Sequence, residues 1–190
     1  MTAIDALTNE HRVIEQMLIV LERLASLVDR DGDRSVQLLK ELADILEQYI
    51  DVLHHTKEER RLFEIVIERG LDTAGGGVST LIHHHDTGRT QLRDLRGELH
   101  RLALGDRTAS AACAVTAHEY AEFLRAHIRM EDEDVYPLVA KAMSAEEDHA
   151  LALYFAQVDD DRDTAGLLAR FEHLRARCAE LDEPQARGSA

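Results

Sequence analysis

The chain has 190 residues, 45% of them hydrophobic but only 4% aromatic, with no Trp. That suits one domain whose core is filled by Leu, Ile, Val and Ala. A formal charge of −15 argues against a basic surface for nucleic acid, and no apolar run approaches the roughly 18 residues that span a bilayer.

The first predicted helix runs from about Thr2 to Val28. Leu7, His11, Ile14, Leu18, Leu21, Ala25 and Val28 recur at alternating steps of three and four, which is one helix face. A second helix is expected from about Ser35 to Arg69, with Leu39, Ala43, Leu46 and Ile50 on its seam and Gly70 as its stop. A glycine-rich connection at 73–77 leads to a third, from about Val78 to Ala103. A fourth spans about Arg107 to Met143, with Pro137 marking a kink or an end. Ser144-Ala145-Glu146-Glu147 reads as a capping box. It opens a shorter fifth helix that the run Asp159-Asp160-Asp161 breaks near Val158. A sixth covers about Thr164 to Leu181, and the tail after Pro184 is expected to be loose. The fold class is therefore all-α: an up-down-up-down four-helix bundle over residues 1–143, with two shorter helices in 144–190 packing on it or mediating a homodimer.

Histidines interrupt the apolar seams. His11 and His85 occupy core positions on the first and third helices. On the second and fourth, His54-x-x-x-Glu58 and His127-x-x-x-Glu131 superimpose, and Leu62-Phe63 then matches Val135-Tyr136. A histidine and a carboxylate four apart share a helix face. His11 and His54 are 43 residues apart, and His85 and His127 are 42. The chain thus reads as two hairpins, each supplying His and then His-x-x-x-Glu. A lone buried histidine is usually a satisfied core residue. Four imidazoles and two carboxylates buried at one level without partners would be costly. A metal supplies the reason, and this donor set suits iron, manganese or zinc.

The pattern resembles the hemerythrin-like (HHE cation-binding) family. The residues that carry it are Glu10-His11, His54-His55-x-Lys57-Glu58-Glu59-x-x-Leu62-Phe63, His85-Asp86-x-Gly88-Arg89 and His127-Ile128-x-x-Glu131-Asp132-x-x-Val135-Tyr136-Pro137. The resemblance implies a four-helix bundle holding two iron ions, oxo- or hydroxo-bridged, with His11, His54, Glu58, His85, His127 and Glu131 as ligands. Asp132 competes with Glu131 for its place, and His84 replaces His85 if the third helix is one residue out of register. Hemerythrins proper carry a further histidine where this chain has Arg89. Six protein ligands would give each iron two histidines and a share in both carboxylates. That implies reaction with dioxygen, peroxide or nitric oxide, such as catalase-like disproportionation, rather than reversible oxygen carriage.

Tyr120, seven residues before His127, shares the inner face and either hydrogen-bonds a bound oxygen species, acts as a ligand or packs in the core. His55 and the remaining histidines are expected to be solvated or structural. Of Lys57-Glu58-Glu59-Arg60-Arg61, all but Glu58 are expected to be solvated. Cys113 and Cys178 form no disulfide framework. Residues 1–10 lack a basic-then-apolar leader, so a cytoplasmic location is expected. Two alternatives stand beside the di-iron reading: an iron, oxygen or redox sensor acting through the last two helices, and a purely structural helical protein.

Overall fold

The computed structural model describes residues 1–71 and 77–182. Helix α1 is Ala3–Ser26. Thr2 caps it: its hydroxyl accepts from the Asp5 amide while the Asp5 carboxylate accepts from the Thr2 amide, so two unpaired backbone donors are satisfied reciprocally. A single turn, Val28–Asp31, follows. Helix α2 is a continuous rod over 33–68, in which the α-helical stretches Asp33–Leu46, His55–Lys57 and Phe63–Glu68 alternate with wider π-helical turns at Glu47–His54 and Glu58–Leu62. Helix α3 is Gly77–Ala103. The expected glycine connection lies, apart from Gly77, outside the described residues, as does the tail after Pro184. Helix α4 covers 110–142 and has its own wide turn at Glu131–Val135. Pro137 does not end it: Pro137 sits at the start of the stretch Tyr136–Ala142, just past that wide turn, where its missing amide costs little.

The expected capping box at Ser144 and Glu147 opens α5, Ala145–Asp161. The run Asp159-Asp160-Asp161 does not break this helix but forms its last turn. The break comes at Arg162 and at Asp163, which takes a left-handed conformation with φ 48° and caps α6, Thr164–Ala179.

Side-chain pairs fix the packing. Glu10 meets His54 while Ser35 meets Leu27. Glu59 meets His85 and Glu47 meets Arg96. His84 lies by His127 while Gly88 faces Leu124, and Arg12 reaches Asp132 while Glu22 reaches His118. In each of these four pairings, residue numbers rise on one helix as they fall on the other, so α1 to α4 form an antiparallel ring.

Two apolar clusters fill the interior. The larger joins Ile14, Leu18, Leu53, Leu95, Leu124 and Ile128 to Leu167, Phe171 and Leu174 of α6. The smaller joins Leu7, Leu62, Phe63, Leu81, Val135 and Tyr136 to Leu151 and Phe155 of α5. The last two helices thus complete both cores. Between the two clusters, at the level where α1 passes from Leu7 to Ile14 and α4 from Leu124 to Val135, lies a slab of buried polar side chains.

Candidate metal centre

His11, His54, Glu58, His85, His127 and Glu131 all lie in that slab and are buried, Glu58 and Glu131 completely. Nε2 of His11 and Nε2 of His54 are 3.1 Å apart. Glu58 Oε2 lies 3.5 Å from His54 Nε2 and 3.5 Å from His85 Nε2. Glu131 Oε2 lies 3.3 Å from both His11 Nε2 and His127 Nε2, and its other oxygen is 3.7 Å from His85 Nε2. Each carboxylate therefore sits between a histidine of one hairpin and a histidine of the other.

The wide turns account for this placement. The amide of Phe63 donates to the Glu58 carbonyl and that of Tyr136 to the Glu131 carbonyl, five residues back in each case. The repeat seen in the sequence is thus a repeat of backbone geometry. Such wide turns recur at functional positions because they re-aim one side chain without ending the helix.

The outer ring nitrogens are held by acidic residues. His11 Nδ1 donates to Asp132 at 2.8 Å, His54 Nδ1 to Glu10 at 2.9 Å and His85 Nδ1 to Glu59 at 2.7 Å. This leaves Nε2 of each ring facing inward, the arrangement that orients metal-binding imidazoles. Asp132, weighed against Glu131 from the sequence, lies on the outer face of His11, and Arg12 pairs with it. Glu59 and Asp132 play matching parts: each follows a central glutamate and holds the first histidine of the other hairpin.

The inner atoms lack partners. Glu58 Oε2, both Glu131 oxygens and Nε2 of His85 and His127 are buried without a hydrogen bond, a costly state unless a cation joins them. Geometry agrees: two nitrogens at right angles about one ion, with bonds of about 2.1 Å, would stand about 3 Å apart, close to the 3.1 Å of His11 and His54. His11, His54, Glu58 and Glu131 form one group able to hold an ion, and His55, His85 and His127 form another. The residues present fit metal.

Without metal, protons supply part of the missing positive charge. Burial disfavours charge on His11, but Asp132, Glu131 and Glu58 outweigh it and hold its pKa up at about 10. Burial likewise opposes charge on His85, yet Glu131 and Glu59 raise it to about 9. Burial dominates at His127 and lowers it to about 4. Burial and the adjacent Glu131 charge push Glu58 upward.

Other residues settle an open expectation, depart from one or were given no role in the sequence. His55, expected to be solvated or structural, is structural: it is buried, with its ring stacked on His85 at a centroid distance of 3.7 Å and 8° between planes. Parallel rings at that spacing cannot both direct lone pairs at one ion, so in this orientation His55 flanks the site. Lys57 is not part of a solvated charge run but is fully buried, and its neighbour Glu59 is half-buried on His85. Tyr136, read only as a repeat position, donates its hydroxyl to Glu58 Oε1 at 2.7 Å and stacks on His11. Tyr120 is buried and lines a cavity of about 180 Å³ together with His55, Asp51, Gly88 and Arg89.

The sequence matches the model of the hemerythrin HHE cation-binding domain over residues 2–139. The chain belongs to this family. The matched segment holds all six candidate ligands, while α5 and α6 lie beyond it. The chain is also similar, at 26% identity over 161 residues, to an uncharacterized protein of Mycobacterium bovis and to two of Mycobacterium tuberculosis. The alignment covers 85% of this chain and 62% of each relative. The chain thus spans less than two thirds of their length. Among the described residues no helix is long and apolar enough to cross a membrane.

Proposed function

We propose that the protein is a non-heme di-iron protein that binds and turns over dioxygen, peroxide or nitric oxide. The observation that carries this reading is the pair of buried carboxylates, each set between histidines of both hairpins. In this reading His11, His54, His85 and His127 would hold the two ions together with the shared carboxylates Glu58 and Glu131. On the same reading residues 1–143 are the metal-binding unit and residues 144–190 an extension whose helices α5 and α6 pack on it.

Bound iron would supply a Lewis-acidic redox centre for small oxygen or nitrogen species. The protein supplies orientation and dryness. Asp132, Glu10 and Glu59 keep the Nδ1 protons of His11, His54 and His85 outward, so that the Nε2 lone pairs face the centre. The Tyr136 hydroxyl fixes Glu58. The two apolar clusters exclude bulk water above and below. Beside the site, the cavity lined by Tyr120 and His55 gives room for a small molecule.

The test is metal content per chain together with the absorption spectrum of the air-exposed protein. Two irons and near-ultraviolet charge-transfer bands, both lost in a His54→Ala/His127→Ala variant, are expected, with peroxide disproportionation faster than that of free iron. No stoichiometric iron, or zinc alone, would overturn the reading.

A second reading, an iron or redox sensor acting through its last two helices, is favoured by one contact: Asp159 of α5 reaches a buried lysine beside Glu58.

A further inference from the structure

The relay that begins at Asp159 runs inward without a gap. Asp159 Oδ1 accepts from Lys57 Nζ at 2.7 Å. Lys57 Nζ also donates to Glu10 Oε1. The other Glu10 oxygen accepts from His54 Nδ1 at 2.9 Å, and His54 Nε2 faces the centre, 3.1 Å from His11. Lys57 is fully buried, and its ammonium lies 5.7 Å from the centre of the Phe155 ring, also on α5. Thr164, which opens α6, donates to the same Asp159 oxygen at 3.0 Å. An ammonium buried this deeply is retained only where its partners are well placed.

Among the described residues the relay exists on one side of the molecule alone. By the internal repeat, Glu10 corresponds to His84, and Lys57 to Met130. No acidic residue holds His127 Nδ1, which is buried without a partner. The asymmetry coincides with the position of α5, which packs against the α1–α2 side.

We propose that Asp159 is a positioning residue for the metal centre: through Lys57 and Glu10 it sets how strongly His54 is held, and so couples the docking of α5 to the state of the site. Lys57 divides its ammonium between Asp159 and Glu10. When Asp159 is engaged, Glu10 keeps more of its negative charge for the His54 Nδ1 proton, which makes His54 the stronger donor. When α5 withdraws, Lys57 turns fully to Glu10, and His54 donates less. Coupling of this kind is reciprocal, so a change of oxidation state at the centre alters the hold on α5 by the same free energy. This inference rests on the reading of His54 as a ligand.

The experiment compares Asp159→Asn, which keeps the shape and removes the charge, with Asp159→Glu, which restores it. Asp160→Asn removes a neighbouring exposed charge that lies outside the relay. In the metal-free full-length protein, the resonance of the His54 Nδ1 proton should move in D159N, return towards wild type in D159E and stay in place in D160N. In the iron-loaded protein, D159N should favour the reduced state by up to about tenfold at fixed potential, or about 59 mV for one electron. An unmoved His54 resonance in D159N, or an equal shift in D160N, overturns the relay. Failure of the wild-type chain to take up iron overturns the di-iron reading instead, while the metal-free resonance still decides the relay.

Discussion

In the α1–α2 hairpin, His54 is held by Glu10, and Glu10 in turn by a buried lysine. In the α3–α4 hairpin, the residue in the place of Glu10 is His84. Its ring meets His127 edge-on at 5.6 Å, and His127 Nδ1 has no partner. Other positions of the repeat differ as well. Tyr136 presents a hydroxyl to Glu58 where its counterpart Phe63 stacks on His85 without one. His55 is buried against His85, while its counterpart Ile128 belongs to the apolar core. The two hairpins share a ligand frame and the acidic partners of its first histidines, Asp132 and Glu59, and differ in most of what surrounds the rest. One pair of histidines is clamped and the other only half clamped, so a symmetric fold carries a chemically lopsided centre.

The largest effect should come from the residues that belong to both halves. Glu58→Ala and Glu131→Ala should each empty both positions, read as iron per chain. One iron retained at full occupancy in either variant would show that the carboxylate serves only its own hairpin. Next comes the clamp itself. Glu10→Gln should weaken the metal held by His54 by roughly 10–100-fold. In a chelator titration, wild type should release iron in two steps, with the His85–His127 ion leaving first, and E10Q should merge the two. A single step in wild type would mean that the half-clamped side is no weaker.

A smaller effect is expected at Tyr136. Tyr136→Phe makes the two hairpins alike at this position and leaves a buried Glu58 oxygen unpaired, at a cost of about 1–3 kcal/mol in the metal-free protein. Iron content should be unchanged. Denaturant unfolding measures the first, and a loss below that range would make the hydroxyl dispensable.

The last effect is a pH dependence. The folded pKa values of His11 and His85, about 10 and about 9, lie above the unfolded value of about 6.5. Their contribution is therefore complete below pH of about 6.5 and is lost as pH rises through 9 and 10. His127, lowered to about 4, acts in the opposite sense: its contribution is lost as pH falls from about 6.5 towards 4. The metal-free protein should thus show a falling melting temperature from neutral to pH 10, and the loaded protein should not, because metal takes the place of those protons. Parallel profiles would refute this.

What the sequence made legible follows from where the information resides. That six candidate ligands would meet at one level could be read because His11 and His85 interrupt a periodic apolar seam and because the His-x-x-x-Glu motif occurs twice. The helices could be read for the same reason, to within a few residues at most ends. Lys57 could not: a lysine in Lys-Glu-Glu-Arg-Arg looks solvated, and only the arrival of α5 with Asp159 and Phe155 buries it. For His55 the sequence left solvated and structural roles open, because its burial depends on the second face of α2, against α3. The Asp159–Asp161 run was misread as a breaker because local charge repulsion argued against a helix, whereas Lys57 anchors Asp159 and Gln157 donates to Asp161.

The wide turns at Glu58–Leu62 and Glu131–Val135 have a consequence for anyone redrawing this protein. Each stores one surplus residue in a rod, so the stretch that grips metal and the stretch that fills the lower core follow different phases of the same helix. Straightening either rod into a regular α-helix with every residue kept would turn everything beyond the wide turn by nearly one residue step, about 100°. Phe63 or Tyr136 would swing out of the core while the histidines above stayed in place. An idealised bundle bearing the same six ligands would then be out of phase with its own interior, and grafting the motif means grafting the irregularity with it.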